Sequence, residues 1–176
     1  MYKSVAFLAL VLFCVIEPKI AAAQILDFFS SGPAIETIET ADLNVLITAR
    51  QQAEAKATAA GEQPEEAGFV LVDVRSDAEQ KVSLIPGAIT KAAFEKDAKK
   101  YQDRTVIVYC LSGGRSKAYA KQLVGKGAKV KNYQGSILAW VNAELPLVTP
   151  EGKPTNRVHT VSDRYQVPAK YEQVTQ

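Results

Sequence analysis

Apolar residues in this chain cluster into short runs separated by amphipathic stretches. Phe69 to Val72 is apolar at every position, and Thr105 to Tyr109 is nearly so, as expected of strands covered on both faces. Ala34 to Ile38, the residues after the Ile85-Pro86-Gly87-Ala88-Ile89 turn, and Val130 to Tyr133 predict three further short strands. Helical spacing falls between them. Thr40 is a suitable N-cap for Leu43, Leu46 and Ile47, and the Ala/Gln/Glu-rich stretch from Arg50 to Ala60 prolongs that helix with a solvated outer part. Residues 61–68, with Pro64, read as a loop. Ser76 and Glu79 have capping-box spacing, Ala92 to Lys100 reads as a helix with a charged outer face, and Ser116 to Lys126 turns Ala120, Leu123 and Val124 inward before Gly127 stops it. Ser136 to Asn142, with Trp140 as core filler, is the last helix. Strand alternating with helix predicts an α/β fold: an open, mainly parallel sheet of about five strands with helices on both faces. Ligands of such sheets sit beyond the carboxyl ends of the strands, where both Asp73 and Cys110 fall.

The two ends of the chain differ from this pattern. Lys3, the apolar stretch Val5 to Ile16 and Ala21-Ala22-Ala23 have the layout of a signal peptide over residues 1–23, too short for a membrane anchor. Phe13 before Cys14 disfavours lipoprotein processing. Export is therefore expected, to the periplasm or, as the alternative, by secretion. Residues 24–34 form a lead-in with Phe28 and Phe29 as packing anchors, 35–149 the α/β domain, and 150–176 a polar extension containing three prolines, Tyr165 and Tyr171. That extension reads equally as a strap or a mobile tail.

Cleavage would leave 153 residues, enough for one compact domain. Removing Lys3, Lys19 and Glu17 from 21 basic and 19 acidic residues leaves 19 against 18, which points to neither a nucleic-acid nor a membrane surface. His159, the only histidine, lies in the polar extension, where a solvated side chain is expected. With one histidine and one remaining cysteine no metal site is expected. No Gly-rich nucleotide fingerprint follows a strand, and no cofactor is expected.

Loss of Cys14 leaves Cys110 without an internal disulfide partner. It heads the loop Cys110-Leu111-Ser112-Gly113-Gly114-Arg115, with Ser116 opening a helix. Gly113 and Gly114 allow consecutive amides to turn toward one centre, and Ser112 and Ser116 can add hydroxyl donors. An ordinary thiol, with a pKa near 8.5, is only about 3% ionised at pH 7. A sheltered helix N-terminus contributes up to about 2 kcal/mol, roughly 1.5 pKa units, in favour of the anion. The amides and the charges of Arg115 and Lys117 act in the same direction. Burial opposes them, so the pocket is expected to be open at its mouth.

Over residues 35–148 the chain resembles the rhodanese family of sulfurtransferases. Leu71-Val72-Asp73-Val74-Arg75 with Ile85-Pro86-Gly87-Ala88-Ile89 is similar to its first signature. Cys110 to Ser116 is similar to the active-site loop, and Gly135-Ser136-Ile137-Leu138-Ala139-Trp140 with Leu145-Pro146 to the closing one. The resemblance implies a rhodanese-like fold and a catalytic Cys110 that carries a sulfane sulfur as a persulfide. The donor would be a small molecule such as thiosulfate, and the acceptor cyanide, a thiol or a protein. Leu111, Ser112, Gly113, Gly114, Arg115 and Ser116 would cradle the persulfide, with Asp73 and Arg75 bracing the loop as a structural pair. Several positions depart from the pattern. Leu111 stands where thiosulfate users are often basic, Ser83-Leu84 replaces Gly-His, Thr90 replaces Asn, and Ser136 and Glu144 each replace a glycine. Two other readings compete: a non-catalytic persulfide carrier or binding module, and a phosphatase or arsenate reductase. The last wants five residues between Cys and Arg, where this chain has four.

Overall fold

A computed structural model describes residues 34–175. The expected signal peptide with Cys14, and the lead-in anchors Phe28 and Phe29, lie outside the described residues. Five parallel strands, β1 (Glu36–Thr37), β2 (Phe69–Asp73), β3 (Ala88–Thr90), β4 (Thr105–Tyr109) and β5 (Val130–Asn132), form one sheet in the order β1-β5-β4-β2-β3. Between them run α1 (Thr40–Ala60), α2 (Asp77–Val82), α3 (Lys91–Lys96) with the 3-10 turn Ala98–Tyr101, and α4 (Gly114–Gly125). After β5 comes α5 (Ser136–Asn142).

The period-2 geometry of a strand divides the apolar runs between two cores. Phe69, Leu71, Ile107 and Tyr109 face Leu43 and Ile47 of α1 and Ile137, Trp140 and Val141 of α5. Val70, Val72, Val106 and Val108 face Phe94 of α3 and Tyr119, Ala120 and Leu123 of α4. Each such buried side chain contributes about 1.5–3 kcal/mol.

Some local expectations shift for identifiable reasons. Thr40 is the first residue of α1 and does not cap it, because its hydroxyl pairs with Tyr133 Oη at 2.8 Å. That long-range bond ties the start of α1 to the connection after β5. At the other side of α1, Arg50 donates to the carbonyls of Pro86 and Gly87, at 2.9 and 3.2 Å. The Ala92–Lys100 helix is broken at Asp97 into α3 and the 3-10 turn, with the Thr90 hydroxyl capping Ala93 N–H at 3.1 Å. The capping box of α2 forms as the Ser76–Glu79 spacing predicts.

The C-terminal extension is a strap. β6 (Leu147–Val148) pairs antiparallel with β7 (Pro154–Thr155), and β8 (Arg157–His159) parallel with β9 (Glu172–Val174). Leu84 and Val148 exchange main-chain hydrogen bonds, and Trp140 Nε1 donates to Pro146 O at 2.8 Å. Val158 and Tyr171 join the core on the α1–α5 side, and the Tyr171 hydroxyl donates to Leu145 O. His159 is buried, contrary to the expected solvated position, with Nδ1 accepting the Val161 N–H at 3.1 Å. The polar composition of the strap concealed its few apolar anchors.

Glu144, one of the residues standing where a glycine is usual, adopts φ 54° while exposed at the end of α5. A side chain in this left-handed region costs about 1–2 kcal/mol. Glu144→Gly should therefore stabilise the fold by about 1 kcal/mol, glycine's greater unfolded-state entropy offsetting the rest. Urea midpoints measure this, and a lower midpoint for the variant would refute it.

Candidate active site

From β2 the chain crosses to β3, while from β4 it crosses to β5 on the opposite side. The carboxyl ends of β2 and β4 therefore flank the point where strand order reverses, the usual place for a crevice in an open parallel sheet. Asp73 and Tyr109 lie in register across this pair, and Val74 N–H donates to Tyr109 O at 2.9 Å. Cys110 leaves β4 at this point, and α2 and α4 begin within a few residues of it.

Pairing with the next βα connection fixes the loop. Cys110 N–H donates to Ser136 Oγ at 3.1 Å, while the carbonyls of Cys110 and Leu111 accept the amides of Ile137 and Leu138 at 3.1 and 3.2 Å. Leu111 is buried and joins the core, so its side chain does not line a mouth. The chain then turns at Gly113, whose φ of 94° is open mainly to glycine. A Cβ there would also lie 2.3 Å from Gln134 O. This turn aims Gly113 N–H at Cys110 Sγ, 3.1 Å away, and starts α4 at Gly114, two residues earlier than the sequence indicates. Arg115 and Ser116 therefore lie in the first helical turn, with the Ser116 hydroxyl donating to Gly113 O at 3.1 Å.

Cys110 is a free thiol and is 1% exposed, so the expected open mouth is absent and the loop is folded over the sulfur. Burial is the strongest single influence on the thiol and pushes its pKa up. The N–H groups of Ser116, Gly113 and Ser112, together with the Ser116 hydroxyl, outweigh it, and the net direction is down. Ser112, Gly114 and Arg115 are exposed around the buried sulfur.

The charged side chains brace the loop. Arg115 grips Glu79 of α2 through two bonds of 2.7 Å each, while its charge still interacts with Cys110. Glu79 is buried and also accepts the N–H and hydroxyl of Ser76, at 2.9 and 2.8 Å. Asp73 and Arg75 form a second, fully buried pair. Arg75 Nη2 donates to Asp73 Oδ2 at 2.7 Å and to Ser83 O at 2.6 Å, its guanidinium lying over the Tyr109 ring at 5.8 Å. Gln80 Nε2 donates to the carbonyls of Asp73 and Arg75, binding α2 to the same turn. Among the described residues, no group of three or more His, Cys, Asp or Glu side chains is placed to hold a metal ion.

Two site residues escape sequence reasoning. Glu79 has the signature of a helix cap and does cap α2, but nothing local reveals that it also pairs with Arg115, 36 positions later. Ser136 looks like a structural replacement for glycine, yet its hydroxyl contacts both the main chain and the sulfur of Cys110.

The Rhodanese-like domain family matches residues 52–143, just over half of the chain. A protein named sulfurtransferase from Allochromatium vinosum is 37% identical over 87 residues, covering 47% of this chain and 81% of that protein. A tRNA sulfurtransferase from Desulfurococcus amylolyticus is 35% identical over 68 residues, which cover 39% of this chain and only 14% of that protein. A solved structure of a rhodanese-related protein from Thermoplasma volcanium is 23% identical, with a TM-score of 0.47, covering 64% of this chain and 97% of that one.

Proposed function

The chain belongs to the rhodanese-like family, and from that premise we propose that it transfers sulfane sulfur through a persulfide on Cys110. The observation that carries this reading is the Gly113 N–H held 3.1 Å from a thiol whose pKa is drawn down despite burial. In the first half-reaction the loop over Cys110 yields to admit a donor such as thiosulfate, and the thiolate attacks the donor's outer sulfur. The donor's S–S bond breaks, its electron pair leaves with sulfite, and Cys110 carries an anionic persulfide. In the second, a thiolate or cyanide attacks the terminal sulfur, and the electron pair returns to Cys110. Main-chain N–H groups preset around the sulfur meet the transferring charge without reorganising, an effect commonly worth several kcal/mol.

The loop's charge distribution favours weakly charged donors over thiosulfate. Leu111 is turned into the core and Arg115 is neutralised by Glu79, so little free positive charge faces an incoming dianion. We further propose that residues 1–23 direct export and that the mature protein acts in the periplasm.

Intact-mass measurement after exposure to thiosulfate and to small persulfides tests the central reading. Gain of one sulfur on Cys110, discharged by a thiol with turnover, is the expected result. Stable loading without discharge would instead mark a carrier. Hydrolysis of an aryl phosphate without sulfur loading would replace sulfur transfer by phosphoryl chemistry.

A further inference from the structure

Ser136 combines an unfavourable backbone with an unusually committed side chain. It is fully buried at φ 54°, a conformation that glycine adopts more easily. Its Oγ accepts Cys110 N–H at 3.1 Å, lies 2.9 Å from Tyr133 O, and stands 3.8 Å from Cys110 Sγ. A hydroxyl has one proton, so it donates to Tyr133 O or to the sulfur at any moment, never to both. Tyr133 O already accepts the Ser136 N–H at 3.1 Å and is not orphaned when the hydroxyl turns away.

The remaining donors around the sulfur come from the cysteine loop itself, residues 112–116. Ser136 reaches it from the connection after β5, on a different element. The contact therefore ties the reacting atom to a part of the fold that the loop does not control. A glycine at this position would relieve the backbone but remove both hydroxyl contacts.

We propose that Ser136 is a positioning residue for Cys110: its hydroxyl holds the cysteine main chain in place and turns its proton from the Tyr133 carbonyl to Sγ whenever the sulfur is anionic. The proton stays on the hydroxyl throughout, and no covalent bond changes. The inference rests on the sulfur-transfer reading only in taking Cys110 as the nucleophile. It applies to the Cys110 thiolate, before sulfur is loaded and again after it is discharged.

Two variants of the full-length chain, each made beside Cys14→Ser so that Cys110 is its one thiol, separate the hydroxyl from the backbone. Ser136→Gly removes the hydroxyl and relaxes φ, whereas Ser136→Ala removes the hydroxyl and keeps the unfavourable backbone. Ultraviolet absorbance of the thiolate, followed against pH, should show the Cys110 midpoint raised by about one pH unit in both, the loss expected of one hydrogen bond to a charged group. The acid limb of any sulfur-transfer pH profile should move with it. A wild-type midpoint in Ser136→Gly overturns the proposal, even if Ser136→Ala is shifted or does not fold, because strain alone would then account for the change. The titration needs no sulfur donor, so failure of the chain to transfer sulfur would leave this result readable.

Discussion

Cys110→Ser should abolish sulfur loading and turnover while leaving the fold intact. The side chain is buried, small and bonded to Gly113 N–H, and a hydroxyl can keep that bond, so the stability change should stay within about 1 kcal/mol. The chemistry has no such tolerance. The amides of Ser112, Gly113 and Ser116 shift an equilibrium that starts within a few pH units of neutrality for a thiol but far above it for a serine hydroxyl. Neither the attacking anion nor a persulfide is available to the variant, and turnover should fall by roughly 10³-fold or more. Sulfite release from thiosulfate, thiol-dependent discharge from a small persulfide, and intact mass all report on this step. Retained turnover with either donor would place the nucleophile elsewhere.

The sheet was readable because both central strands are apolar at consecutive positions, and the cysteine loop because two glycines follow a strand end. Hydropathy cannot show how groups distant in sequence meet. Thr40 is a good cap in isolation, but the Tyr133 hydroxyl, 93 positions later, takes its side chain. Arg115 reads as a free cation beside the cysteine until Glu79 is placed opposite it by the β2–β4 register. The strap is the clearest case, since a 3.6- or 2-residue period needs more residues than Val158 and Tyr171 supply. Ser136 and Glu144 stood out as replacements for glycine, and both occupy positive φ. The sequence alone did not reveal that one of them also reaches the Cys110 sulfur.

Acid should weaken the fold through Glu79, and Glu79→Gln should show this by losing the response. Burial by itself raises this carboxyl, but the bonds from Arg115 and Ser76, together with the Arg115 charge, reverse that and bring it down to about 2 from the ordinary 4.5. A carboxylate whose folded pKa is depressed adds stability that is complete above its unfolded value and is lost as pH falls through the folded one. The relevant window therefore runs from about pH 4.5 down to about pH 2. The shift corresponds to roughly 2–3 kcal/mol after allowance for Arg115, whose side chain is 45% exposed and partly screened. Glu79→Gln should cost about that much at pH 7, since it leaves Arg115 without its counter-charge at the first turn of α4. Wild type and variant should then converge on acidification, because a protonated glutamate offers Arg115 no more than glutamine does. Urea midpoints for both proteins at pH 7, 4 and 2.5 measure the difference, and a constant gap across that range would exclude Glu79 as its source. The same loss should reach the chemistry, because the ion pair anchors the helical turn that aims the Ser116 and Gly113 amides at the sulfur. At neutral pH the variant should therefore load sulfur more slowly than wild type even while fully folded.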